Sequence, residues 1–385
     1  MTDLVVISLE KWDGVWRRNQ YLIDGLLKTD AGLRVLFVEP AADPLYDLIS
    51  RRAARRGGGL RVVEQPGSGA GRIWAYQPTK LLPRRIDPGV DGRMASRIQR
   101  VADSVGFRNP ILWINDPAGA ATLETTGWPA LYDVTDDWLE ADRTEAEHER
   151  LIRAEALLME RCAEVVVCSP ALVRTKGASR RVTLIPNAVD VEAYRVPRER
   201  PGDLPDGPVA VYLGTVHTDR IDVGLCVETA KAVRGRGRLV MVGPALLGPE
   251  DRGRLETAGV TLLGAKDRAD VPAYLQHADV LLVPHVVTSF TDSLDPIKLY
   301  EYRAVGRPVV STPVAGFREG GDPRITVATG SGFATAVAHS LPARSRFPAG
   351  LEDDVATWRI RVVEMRRVLE RVSAAGRDPA SPESL

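Results

Sequence analysis

The residues most suggestive of chemistry lie at 293–312, in the stretch SLDPIKLYEYRAVGRPVVST. Asp295 can cap a helix and Pro296 suits a first helical position. The backbone N–H groups of a first helical turn lack partners and point outward. With the helix dipole they make an anion site, most naturally for phosphate. Lys298 adds a full charge in that turn. Glu301 lies roughly 9 Å beyond the cap, at about 1.5 Å per residue, about one sugar away from the phosphates. A carboxylate there suits the two hydroxyls of a ribose. The pattern fits a nucleoside diphosphate held by phosphates and ribose. It also fits an ordinary capped helix with an exposed Lys and Glu. Gly306 ends the helix, Pro308 prevents its continuation, and PVVST reads as the next buried strand.

Such a helix needs a sheet to position it. Short apolar runs alternate with amphipathic stretches along all 385 residues. The runs fall at 4–9, 34–39, 111–116, 130–135, 165–169 and 182–187, and again at 209–215, 238–243, 260–265, 280–285, 308–312 and 325–329. Stretches of helical period lie between several of them, as at 16–27 and 145–162. Continuous β-branched runs joined through helices indicate parallel strands buried on both faces. The Pro-, Gly- and charge-rich segment at about 190–208 interrupts this rhythm and reads as a linker. The expected organisation is an α/β fold of two doubly wound, Rossmann-like domains. They span 1–190 and 209–350, with a 191–208 linker. An amphipathic helix within 351–385 is expected to return to the first domain. The segment 51–72 reads as a mobile loop. Its GSGAG opens no helix, so a dinucleotide site there is not supported.

Composition narrows the function classes. Apolar residues make up 44% and charged residues 26%, with a formal net charge of zero. That is an ordinary globular balance with no global field toward nucleic acid. Three scattered cysteines form no C-x-x-C pair, which fits a reducing cytoplasm. The N-terminus reads as a first buried strand, not a signal peptide, and no apolar run reaches the roughly 18–20 residues of a membrane span. Charge is uneven locally. Residues 51–108 hold 13 Lys/Arg against 4 Asp/Glu, and residues 133–164 hold 11 Asp/Glu against 4 Arg. These are solvated faces, or the first meets an acidic surface such as anionic lipid or a phosphate-bearing acceptor.

The phrase DPIKLYEYRAVGRPVVST resembles the donor-site helix of GT-B glycosyltransferases, in the broad group of retaining glycosyltransferase family 4. One bacterial branch has a phrase nearly identical to it. WDGVWRRNQYLIDGLL (12–27), YDVTDDW (132–138), LIPNAVD (184–190) and VYLGTVHTDRIDVGL (211–225) resemble further features of that branch, in order. The resemblance implies two facing domains, a nucleotide-sugar donor, no metal or other cofactor, and transfer with retention.

By resemblance, Glu301 binds the ribose. Ser293, Asp295, Pro296, Ile297 and Lys298 line the diphosphate turn. Gly14, Gly214, Thr215 and His217 approach the donor, and Arg220 neutralises the leaving group. Arg220 is alternatively a surface residue, Gly14 a simple turn and His217 an ordinary loop histidine; His285 is expected to be structural. The family's first glutamate of an E-x7-E pattern is Ser293 here. Its sugar-side histidine is Asn115, which can hydrogen-bond a sugar but cannot serve as a base near neutral pH. Thr215 stands where many members carry Arg. Lys11, Trp12, Asp13 and Arg17 are expected on the acceptor side, with core cover as the alternative for Trp12. Asp136 and Asp137 are acceptor-side candidates or simply an acidic helix start.

The expected acceptor is a glycan, a lipid-linked group or a natural-product aglycone, in envelope-glycan or glycoside synthesis. Contact with anionic membrane and homodimerisation are further expectations; nucleic acid is not. A catalytically silent nucleotide-sugar-binding subunit and a GT-B epimerase are the alternatives. A nicotinamide dehydrogenase is disfavoured, because no G-x-G-x-x-G opens a helix after the first strand.

Overall fold

Runs of β-branched and aliphatic residues form two main sheets in this computed structural model, one in each of two units. The structure describes residues 3–49, 53–64, 71–141, 143–319, 321–341 and 355–376. The first unit comprises residues 1–186 and 359–385, and the second residues 187–358.

In the first unit the strands are β1 (Asp3–Ile7), β2 (Arg34–Val38), β3 (Gly59–Val62), β4 (Ile73–Gln77), β5 (Ile111–Ile114), β6 (Ala130–Val134), β7 (Glu164–Val167) and β8 (Thr183–Leu184). Their order is β3-β4-β2-β1-β5-β6-β7-β8, parallel throughout except for the antiparallel edge pair β3–β4. β1 and β6 are buried along their whole length, as strands covered on both faces must be. Trp113, Tyr132, Phe37 and Phe107 are the largest fully buried side chains of this unit. The order reverses at β1, with β2 on one side and β5 on the other. Ligands of open α/β sheets bind beyond the carboxyl ends of strands at such a switch point.

The second unit has β9 (Val209–Leu213), β10 (Val216–His217), β11 (Arg238–Val242), β12 (Ala245–Leu246), β13 (Thr261–Gly264), β14 (Val280–Val283), β15 (Val309–Ser311) and β16 (Ile325–Val327). The main sheet runs β13-β11-β9-β14-β15-β16, all parallel, with β10 and β12 forming a small separate pair. Its switch point lies between β9 and β14. Residues 191–208 pack within this unit. Val191–Arg195 is a helix with Tyr194 buried, and the Gln276 amide donates to the Tyr194 and Val196 carbonyls.

One local expectation is corrected. Within 51–72, Gly59–Val62 is a strand. Its Leu60 and Val62 are exposed at the sheet edge, so it lacks the buried apolar face that would have announced it. Residues 65–70, most of the GSGAG turn, lie outside the described residues. The C-terminal helix runs Trp358–Ala375 and, from Arg359, belongs to the first unit. The absent side chain of Gly25 leaves room for Val362, and Arg371 makes two hydrogen bonds to Glu164. Residues 351–354 of that expected helix lie outside the described residues.

Candidate functional site

The opening stretch folds as a helix, Ile297–Val305, that ends at Gly306 with φ 73°. Its start differs from the expectation. Pro296 is itself the cap residue, and no side chain caps the helix. Asp295 is drawn away: its carboxylate accepts from the Asn187 backbone N–H and from the Tyr300 hydroxyl, while its carbonyl accepts from the Asn187 amide. The first turn's N–H groups are therefore not taken up by the Asp295 carboxylate.

Lys298 enters from this turn beneath the carboxyl ends of β9 and β14. Its Nζ lies 3.1 Å from the Tyr212 hydroxyl and 3.2 Å from His285 Nε2. The Tyr212 hydroxyl donates to the Thr215 carbonyl at 3.1 Å and lies 3.3 Å from His285. Burial, with Arg220 nearby, brings the Lys298 amine down from 10.5 to about 7, against an opposing pull from Glu301. Burial and the Lys298 and Arg220 charges hold His285 well below its usual range, so the imidazole is neutral. His285, expected to be structural, thus lies in contact with the Lys298 amine.

Backbone shape makes room for this cluster. Gly214 has φ 135°, and a Cβ there would stand 3.1 Å from the Tyr212 hydroxyl and 3.2 Å from Lys298 Nζ. Gly243, with φ 142°, lies where any Cβ would overlap the Gly214 carbonyl. Both angles belong to the region that glycine enters at no steric cost. The loop from β9 is fastened to the end of β14 by hydrogen bonds from Asp222 N–H to the Pro284 carbonyl and from Val286 N–H to the Arg220 carbonyl. Arg220 is held over the Phe290 ring, 5.4 Å from its centroid.

One turn further along the helix, the Glu301 carboxylate accepts from the Tyr194 hydroxyl at 2.6 Å. Burial raises its pKa, with Tyr194 and Lys298 opposing. Ser293 is buried and donates to the Phe290 carbonyl at 2.8 Å, so it closes its own short helix. His217 pairs with Asp219, a neighbour on its own loop. Among the expected donor-side residues, the structure gathers Gly214, Thr215, Arg220 and Lys298. It adds Tyr212 and His285, which the sequence reading did not select.

The candidates of the first unit fall into three groups. Asn115 ends β5 and is buried, with its amide donating to the Asp133 carbonyl and carboxylate, and its Oδ1 accepting from Asn19 at 2.9 Å. Asp133 also takes the buried Arg18 guanidinium and the Trp113 indole N–H. Asn115 is thus tied into a polar network at the switch point. Asp137 is buried and bound with Glu155 to the Lys176 ammonium, at 2.8 and 2.7 Å, whereas Asp136 is half-buried and accepts from Thr135. Lys11, Asp13 and Gly14 are exposed on the loop after β1. Asp13 receives the Val15 N–H, and Arg17 pairs with Glu10. Trp12 stands edge-on to Phe37 at 5.0 Å and to Trp16 at 6.3 Å, while its backbone N–H donates to Glu39. With Trp16 and Arg61 it walls an open depression of about 530 Å³. Trp12 thus covers core on one face and lines a recess on the other.

Residues 207–342 match the family model described as Glycosyl transferases group 1. A comparison with curated protein sequences gives no match. Among solved structures, the chain is similar to sucrose-phosphate synthase from Thermosynechococcus elongatus (17% identity, 97% of this chain and 100% of that chain, TM-score 0.65). It is similar to Anabaena HepE in complex with UDP-glucose (14% identity, 96% and 100% covered, TM-score 0.61). It is also similar to α,α-trehalose 6-phosphate synthase from Burkholderia multivorans (11% identity, all of both chains, TM-score 0.59). The chain therefore has the GT-B fold, and within it residues 207–342 match the glycosyl transferases group 1 model.

Proposed function

We propose that the chain transfers a glycosyl group from a nucleoside-diphosphate sugar to an acceptor hydroxyl, with retention, as in glycosyltransferase family 4. The observation that carries this reading is the placement of Lys298. It is a half-buried amine in a helix's first turn, 3.1 Å from the Tyr212 hydroxyl and beside Gly214, where a Cβ would stand 3.2 Å from it. The first-turn N–H groups, Lys298 and Arg220 bind the diphosphate and neutralise it as it departs. Glu301 accepts hydrogen bonds from the ribose hydroxyls. The bond from the anomeric carbon to the diphosphate oxygen breaks and one to the acceptor oxygen forms. The acceptor proton passes to the departing phosphate, so the step requires no side-chain base. HepE, of similar fold, is recorded with UDP-glucose, which makes a UDP-sugar the first donor to try. Envelope-glycan and natural-product glycoside synthesis are the contexts this reading admits.

The test is a thermal-shift panel with UDP, GDP, TDP and ADP, run beside Glu301→Ala. One nucleotide should stabilise the native protein and not the variant. Donor-sugar hydrolysis with that base then separates an active transferase from a silent binding subunit. No shift with any nucleotide at millimolar concentration would remove the donor site from consideration.

A further inference from the structure

We propose that the face built from residues 44–49 and 81–86 docks on an anionic lipid surface. The helix Pro44–Ile49 has no buried residue, and Tyr46, Leu48 and Ile49 all stand exposed, Ile49 at 70%. Leu81, Leu82 and Ile86 are exposed as well, Ile86 at 62%. The two segments leave the sheet side by side. Ala42 and Thr79 form a bridge, the Lys80 N–H donates to the Ala42 carbonyl, and Lys80 pairs with Asp43.

This is a concentration and not scatter. Of the sixteen exposed large apolar residues among those described, six lie in these two short segments. Single exposed apolar side chains are ordinary, but a clustered set on an unburied helix marks a contact surface.

Charge selects the occupant. Arg55, Arg56 and Arg85 are exposed beside the apolar residues, and the Arg55 backbone N–H is held by the Asp47 carboxylate at the helix. Residues 51–108 carry a surplus of nine positive charges. Two copies meeting through this face would bring Arg55, Arg56 and Arg85 of one against those of the other. A bilayer of anionic headgroups presents the opposite sign, with acyl chains beneath for the apolar side chains. Arg51 and Arg52 belong to the same basic run but lie outside the described residues. No helix among the described residues is long and apolar enough to cross a membrane, so the contact is interfacial. Docking by this face would favour an acceptor presented at a lipid surface. That consequence rests on the transferase reading, whereas the docking itself does not.

Flotation of the full chain with vesicles decides it. Phosphatidylcholine vesicles containing about one third phosphatidylglycerol should carry the protein, and pure phosphatidylcholine should not. Leu48→Asp with Ile49→Asp should abolish co-flotation. Arg55→Glu with Arg56→Glu should lower partitioning by at least about fivefold for each arginine and weaken its salt dependence. Both double variants should keep the native melting temperature and nucleotide response, which shows that they fold. Absence of native protein from the anionic vesicles, or equal flotation of both variants, overturns the proposal. So does a native dimer that becomes monomeric in Leu48→Asp/Ile49→Asp, which would assign the face to a second copy. Nucleotide binding is read separately, so either reading can fail alone.

Discussion

Nucleotide binding should take up a proton at Lys298. In the free protein its amine titrates near 7, because burial and Arg220 disfavour the ammonium. A diphosphate placed against it favours the charged form, so the complex holds the proton well above that pH. The sign follows directly. Binding is strongest below about 7, where Lys298 is already charged, and weakens as pH rises, because a proton must then be acquired. Between pH 6.5 and 8.5 the dissociation constant should rise about 25-fold, close to 2 kcal/mol at about 1.36 kcal/mol per pKa unit. The nucleotide itself changes less: a terminal phosphate that loses its second proton at about 6 is already about three quarters ionised at pH 6.5, which offsets the rise by only about 1.3-fold. Calorimetry in buffers of different ionisation heat should find nearly one proton absorbed per nucleotide at pH 8.5 and about half at pH 7. Lys298→Arg, charged at every pH, should bind without the dependence. Equal affinity across the interval with no proton uptake, in protein that does bind nucleotide, would refute the reasoning.

Further outcomes follow from other contacts. Gly243→Ala should displace the Gly214 loop, because its Cβ overlaps the Gly214 carbonyl at a positive φ. Nucleotide stabilisation should then fall more than in Gly253→Ala, whose Cβ meets nothing within 4 Å. Lys176→Met leaves the buried Asp137 and Glu155 without their cation, a loss of about 3–5 kcal/mol at pH 7. Urea unfolding at pH 7 measures that loss. All three cysteines are buried, and burial pushes the Cys162 thiol up to about 12 and raises Cys226 as well. A disulfide reagent at pH 8 should therefore label native protein far more slowly than urea-unfolded protein. Fast labelling of the native chain would contradict that packing.

Where chemistry was local in sequence, the sequence carried it. The helix with Lys298 and Glu301 is one contiguous phrase ended by Gly306, and all twelve apolar runs became strands. What escaped was assembled across distance. Tyr212 sits in an apolar run and resembles core, and His285 is two residues past another strand. Only strand pairing brings them to Lys298. Asp295 reads as a cap until Asn187, more than a hundred residues earlier, claims its carboxylate. Asp137 reads as an exposed acid until Lys176 is folded against it. Edge strand β3 escaped for the opposite reason, because its side chains are exposed and leave no burial pattern to read.

The helix Trp358–Ala375 has a consequence for synthesis. Its buried Met365, Val368 and Val372 belong to the unit that begins at the other end of the chain. That unit's packing cannot be completed while the ribosome is still making the intervening residues. Its helix Arg18–Thr29, whose Gly25 receives Val362, waits with that surface uncovered until residues 359–375 have been made. A nascent chain stalled within the second unit would therefore expose an apolar face on the first, and chaperones should hold such fragments longest. Circular permutation that joins this helix directly to residue 3 would shorten the wait and raise the contact density of the early intermediate.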